Sequence, residues 1–192
     1  ESVKAKYYEN NYHNVEVELK TLDGTRTFSR KLKFIIKENK KLKVAEINFA
    51  QNINFTDSKL IRQFKETKPF KWYFPWRGKY DSVKFDGDKE LLRTFYTSKG
   101  YYDFIIENEN IEFSKEGINI NLDVYEGEKY YLRNVSWDGN TIHTDLELNR
   151  RLGFQKGDLF DYERFQIALS EQVTPLYMDE GYFFFDLNPD II

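Results

Sequence analysis

Acid–base and nucleophilic chemistry are thinly supplied in this chain. Its 192 residues hold two histidines, His13 and His143, the side chains that titrate nearest neutrality. Cysteine is absent, which excludes a thiol nucleophile, a thiolate metal site and a disulfide framework. No phosphate loop, nucleophile elbow or metal-ligand spacing occurs. His13 lies at a strand start without a visible partner, and His143 occupies a position where Phe55 packs elsewhere in the chain. Asp179, Glu180, Asp186 and Asp190 form an acidic string that reads as a solvated helix end and turn rather than a cation site. No catalytic residue, metal ligand or cofactor is expected, and the chain is not expected to be an enzyme. Non-covalent recognition remains. Residues 70–76, Phe-Lys-Trp-Tyr-Phe-Pro-Trp, set five aromatic rings among basic neighbours. Trp72, Tyr73, Phe74 and Trp76 are a candidate contact for a partner, an adjacent unit or a membrane surface, or else a lid over two helices.

Recognition by a loop or a strand edge needs elements that hold it in place, and here those elements repeat. With a shift of 88 residues, 34–64 aligns with 122–152 over 31 ungapped positions. Seven positions are identical: Glu38/Glu126, Lys41/Lys129, Asn52/Asn140, Thr56/Thr144, Asp57/Asp145, Leu60/Leu148 and Arg62/Arg150. A helix-end signature recurs three times, as Tyr7-x3-Asn11-Tyr12, Tyr96-x3-Gly100-Tyr101 and Tyr177-x3-Gly181-Tyr182. A repeated small unit argues for a tandem array. The net charge of −3 is mild, and with no basic stripe nucleic acid is not an expected partner. No apolar run approaches the ~18 residues that span a bilayer. None of these residues reads as a signal peptide. The first residues read as a helix end, so the chain is expected to open inside a unit.

The middle unit predicts a strand at 44–49, then a short helix capped by Thr56, whose hydroxyl is placed to accept from a first-turn N–H. A second helix runs from Tyr80 with Phe85, Leu92, Phe95 and Tyr96 on one side, ending at Gly100, a natural left-handed residue. Strands follow at 101–107 and 118–124, the latter with Ile118, Ile120, Leu122 and Val124 alternating inward. The third unit copies this order: a strand at 131–137, a full capping box at Thr144 and Glu147, a helix that Pro175 should kink, and a strand near Tyr182. The first unit keeps a helix end, a strand at 13–20, an Asp-Gly turn at 22–25 and a strand at 30–37. The units divide as 1–39, the C-terminal part of one; 40–127, complete; and 128–192, lacking its last strand.

The β-α-α-β-β order, the strand ending Trp137-Asp138-Gly139-Asn140, the capped helix carrying Arg150 and the Tyr-x3-Gly-Tyr helix end resemble the POTRA domain. The resemblance implies an α+β fold of tandem units, each a three-stranded mixed sheet with two helices on one face. The middle unit departs from the pattern, with Ala50-Gln51-Asn52 where the family prefers a turn glycine. The long Trp-rich loop looks like a lineage variation. The family's arms stand on the periplasmic face of the Gram-negative outer membrane, as part of a longer membrane-anchored chain. The resemblance therefore implies a β-barrel beyond Ile192, unfolded outer-membrane proteins as clients and accessory assembly lipoproteins as partners. Alternatives are the same fold in a two-partner secretion or TamA-like transporter, or an aromatic-rich carbohydrate-binding surface protein.

A three-stranded sheet has a bare edge whose N–H and C=O groups can pair with an extended visitor. The expected edge is strand two: Tyr101, Tyr102, Asp103, Phe104, Ile105 and Ile106 in the middle unit, 182–187 in the third and 14–19 in the first. Tyr102, Phe104 and Ile106 would read the visitor's apolar side chains or else form core. Glu107, Glu109 and Glu112 are the charges with which natural edges protect themselves.

Overall fold

The structure is a computed structural model that describes residues 2–10, 12, 14–23 and 30–191. His13 and the Gly24-Thr25 half of the expected turn lie outside the described residues. The chain divides into two compact units, Glu1–Leu91 with Ile106–Val124, and Leu92–Ile105 with Tyr125–Ile192.

The first unit opens with helix α1 (Ser2–Glu9), then strands β1 (Glu16–Asp23) and β2 (Arg30–Lys37), paired antiparallel from Glu16↔Lys37 to Asp23↔Arg30. Strand β3 (Val44–Ala50), helix α2 (Asp57–Gln63), helix α3 (Ser82–Thr97), β4 (Ile105–Phe113) and β5 (Ile118–Tyr125) follow. The sheet order is β3-β5-β4, so the last strand is the central one, parallel to β3 from Val44↔Ile118 to Ala50↔Asp123. A bulge between Val44 and Glu46 shifts the register. Ile118, Ile120, Leu122 and Val124 are fully buried while their neighbours are not, the alternation of a sheet covered on one face. Phe49, Phe64 and Phe85 join β3, the end of α2 and α3 through edge-to-face contacts at 6.1 and 6.0 Å. Sequence reasoning missed Asp88. Its buried carboxylate accepts from the backbone N–H groups of Lys65 and Thr67 at 2.6 Å and of Glu66 at 3.2 Å, tying the turn after α2 to α3.

Strand β2 is the repeat equivalent of β5, yet it sits in a two-stranded ribbon. Leu32, Phe34 and Ile36 are 58%, 54% and 38% exposed, whereas their counterparts Ile120, Leu122 and Val124 are 0%. The same alternation thus stands with and without a helical cover.

The second unit carries α4 (Asp145–Leu152), α5 (Tyr162–Ala168) and α6 (Thr174–Asp179). Leu148, Leu152, Phe160, Phe165, Leu169, Val173 and Tyr177 form its core. Two expected strands are corrected. Residues 131–137 contribute a single bridge, Tyr131↔Leu159, and none of the described residues after Tyr182 is in a strand. A ladder needs a partner strand: among the described residues β3 finds one in β5, whereas 131–137 meets only the bridge to Leu159. The expected kink at Pro175 takes the form of a π-helical stretch, Leu169–Val173, immediately before α6, with the Thr174 hydroxyl donating to Leu169 O at 2.9 Å.

The repeated identities have structural reasons. The Asn52 amide donates to Phe55 O at 2.9 Å and to Asp57 Oδ1 at 2.8 Å; the Asn140 amide donates to His143 O at 3.0 Å and to Asp145 Oδ1 at 2.7 Å. Each asparagine thus clamps the turn between strand and helix. Thr144 and Glu147 form the expected capping box. Thr56 makes no side-chain cap bond, a correction to the expectation drawn from its type. Its third helical position holds Lys59 where the other copy has Glu147, so no reciprocal carboxylate fixes the cap. The middle unit also solves its turn differently: Gln51 adopts φ 67° where Gly139 adopts 79°.

A left-handed L-residue costs roughly 1–2 kcal/mol, partly offset by glycine's greater loss of freedom on folding. Gln51→Gly should therefore raise stability by about 0.5–1 kcal/mol in denaturant melts. Glu147 is held below the ordinary glutamate value of 4.5, chiefly by the hydrogen bond from the Thr144 backbone. A depressed carboxyl stabilises fully above its unfolded value and loses that contribution as pH falls through its folded value. The melting-temperature gap between the parent and Glu147→Gln should be widest at neutral pH and shrink below about 4.5.

Candidate functional site

The helix ends organise the surfaces that could bind. Tyr12 N–H donates to Tyr7 O at 3.0 Å, Tyr101 N–H to Tyr96 O at 3.1 Å and Tyr182 N–H to Tyr177 O at 2.9 Å. Gly100 N–H donates to Thr97 O and Gly181 N–H to Met178 O, completing the paired bonds of a Schellman end. Gly100 adopts φ 86°, and a Cβ there would lie 2.5 Å from Leu159 Cδ1 and 3.2 Å from Tyr130 O. The first tyrosine of two signatures then reaches a repeated glutamate. Tyr7 Oη donates to Glu38 at 2.9 Å, and Tyr96 Oη donates to Glu126 at 2.8 Å in a buried setting. The Glu38 bond pushes the Tyr7 phenol above its ordinary value. The repeated lysines complete the arrangement: Lys41 Nζ lies 4.9 Å from the Tyr12 ring centroid and Lys129 Nζ 5.6 Å from that of Tyr101. Three of the repeat's shared features thus form one latch.

This latch changes the expected edge. Tyr101, Tyr102, Asp103 and Phe104 precede the strand, which begins at Ile105 rather than 101. Tyr101 and Phe104 are buried, Phe104 stacked on Tyr96 at 4.0 Å and Tyr101 edge-on to it at 6.0 Å. Tyr102 meets Phe160 and Tyr162, and Asp103 accepts from Tyr130 Oη at 2.7 Å. The physical reason is the turn: a Schellman end takes several residues to reverse the chain, and those residues serve as anchors. Ile105 and Ile106 remain on β4, the outermost strand on its side of the sheet. Its surface is polar, with Glu109 paired to Lys89 and the Asn108 amide donating to Asp123 at 3.2 Å. The other outer strand is partly occupied, since Val44 N–H donates to Gly78 O and Phe70 N–H donates to Val44 O, both at 2.8 Å.

Those bonds seat the aromatic loop against β3. Within it Phe74 N–H donates to Lys71 O at 2.9 Å and Arg77 N–H to Phe74 O at 3.0 Å, and Arg77 lies over the Phe74 ring. Phe74 is half-buried, but Trp72 and Trp76 are 83% and 66% exposed, and Tyr73 is exposed too. The rings do not form the lid that is one reading of the sequence. His143 packs edge-on to Tyr177 at 4.9 Å, with Nε2 3.7 Å from Glu180, as its apolar-equivalent position implies. Among the described residues no cluster of three metal-ligating side chains occurs, and no helix is long and apolar enough to cross a membrane.

Tyr96→Phe should lower stability by about 1–3 kcal/mol, because it takes a hydrogen bond from a buried carboxylate. Tyr7→Phe, which removes the same bond at an exposed site, should cost less in the same urea titration.

Comparison with known proteins bears on all of this. BamA of Neisseria meningitidis, an outer membrane protein assembly factor, is 29% identical over 71% of this chain and 18% of its own length. A putative outer membrane protein assembly factor of Treponema pallidum is 25% identical over 95% of this chain and 22% of its own length. The chain thus spans about a fifth of these curated relatives. The crystal structure of Haemophilus influenzae BamA POTRA3-5 superposes with a TM-score of 0.54 at 14% identity, covering 95% of this chain and 68% of that one, and shares its fold. The POTRA family, described as a surface antigen variable number repeat, matches residues 42–127 and again 130–192. This chain belongs to the POTRA family.

Proposed function

We propose that this chain is part of the periplasmic arm of a BamA-type outer-membrane assembly factor. It receives extended segments of unfolded outer-membrane proteins on the open edge of β4. The arm also docks accessory lipoproteins and continues into a membrane-embedded barrel. It acts by binding, not by catalysis. Residues 1–39 close one POTRA unit, 40–127 make a whole one and 128–192 begin a third. The names of the relatives support the setting. The observation that carries the mechanism is the sheet order: β4 is outermost, while β3 already shares its first residue's N–H and C=O with the aromatic loop. An added strand draws its affinity from main-chain hydrogen bonds, which suits clients of many sequences. The edge proposed is therefore Ile105–Phe113, with Ile105 and Ile106 retained from the sequence expectation and Tyr101, Tyr102, Asp103 and Phe104 supporting it from the turn.

The test is an amide-resolved NMR titration of the chain with extended peptides from outer-membrane barrel strands. Shifts should concentrate in 105–113 and vary little with peptide sequence. Silence at millimolar peptide, or shifts centred on β3, would overturn the assignment.

A further inference from the structure

We infer that the aromatic loop is a membrane-surface contact, with Trp72, Tyr73 and Trp76 entering the headgroup layer of an anionic phospholipid bilayer. Three independent features lead there.

The first is display. Two of the chain's three tryptophans, Trp72 and Trp76, stand 83% and 66% exposed on one short turn, with Tyr73 exposed between them. They are held out, not merely uncovered. Backbone bonds from Phe70 to Val44, Val44 to Gly78 and Gly78 to Lys68 close the base of the loop, and the Asp88 carboxylate fixes 65–67 ahead of it. Ring contacts at 5.5, 4.9 and 5.3 Å run from Trp72 through Tyr73 and Phe74 to Trp76. A loop set in this way loses little conformational freedom on docking.

The second feature is charge. The stretch 65–79 carries Lys65, Lys68, Lys71, Arg77 and Lys79 against one carboxylate, Glu66, in a chain whose net charge is −3. That carboxylate is itself engaged by Lys84 at 2.9 Å. Lys43 adds a further ammonium, 3.7 Å from the Phe70 ring centroid. The complement of such a surface is anionic.

The third is residue type. Tryptophan and tyrosine join an apolar ring to a polar tip, which suits the boundary between acyl chains and headgroups. Lysine and arginine keep their charges at the phosphate level while their stems lie along the apolar side. An exposed turn with protruding rings needs a soft, laterally continuous receiver; a globular acidic protein would have to offer a pocket for each ring. The occupant proposed is therefore the bilayer surface. This inference concerns a different surface from β4, and its outcome is read separately.

Vesicle partitioning tests it. The 192-residue chain is titrated with phosphatidylcholine vesicles that do or do not contain phosphatidylglycerol, reading cosedimentation and tryptophan emission. Binding to the phosphatidylglycerol vesicles with a blue shift is expected, falling as salt rises. Trp72→Ala with Trp76→Ala should lower the partition coefficient at least tenfold. Each neutralised cation near the surface should lower it about five-fold, so Lys68→Gln with Lys71→Gln should lose about 25-fold. All four positions lie outside the buried core, and circular dichroism confirms folding of each variant. No partitioning at millimolar anionic lipid would overturn the inference. So would unchanged partitioning of the double tryptophan variant, or loss by that variant of polyglutamate binding in place of vesicle binding. The peptide titration on β4 should be indifferent to these substitutions.

Discussion

The backbone bond from the second tyrosine of each helix-end signature to the carbonyl of the first is the constraint around which the rest is arranged. It reverses the chain within a single turn, and it leaves the first tyrosine's ring buried or half-buried with its hydroxyl pointing along the unit. A glutamate about thirty residues on accepts that hydroxyl, and a lysine three residues further covers the second ring. In the first two signatures one covalently local event therefore fixes two non-local partners. Because Glu38 and Glu126 directly follow β2 and β5, the latch ties the first two helix ends to the chain just beyond those strands.

The binding surfaces are defined by what the latch consumes. It takes the residues immediately after the helix for anchoring, so the accessible backbone starts only where β4 starts. It also explains why aromatic residues dominate that corner: a stacked and edge-on cluster around Tyr96 buries the area that an extended segment of polar residues could not. The opposite side of the sheet is treated differently. There the loop folds back on β3 through its own main chain, leaving its side chains outward. One edge is thus spent on positioning rings, and the other is open.

Much of this was legible in the residues, and the misses have physical causes. Period-two alternation located β2 to the residue and β5 to within one, and the Tyr-x3-Gly-Tyr spacing located the helix ends, because both are local geometry. The identities Asn52/Asn140 and Asp57/Asp145 marked a real clamp, but its partners are unreadable without coordinates. The strand at 131–137 was misjudged because propensity describes one segment, while a ladder needs two. Asp88 escaped notice because a charged residue on an apolar helix face looks like a solvated break in the pattern; only the three N–H groups that converge on it account for its burial. The exposed rings of the loop ran against the general preference of tryptophan for cover.

The central position of β5 has a kinetic consequence. Val44 pairs with Ile118, so β3 has no neighbour until a strand more than seventy residues downstream has arrived. Closing so long a segment is entropically slow, and parallel pairs of this kind form late in folding. The β1–β2 and β4–β5 ribbons, joined by short connections, can form first and wait. A chain emerging from its N-terminus would therefore present β3 unpaired until the β4–β5 hairpin had followed it, and the sheet would become cooperative only when its final strand had emerged.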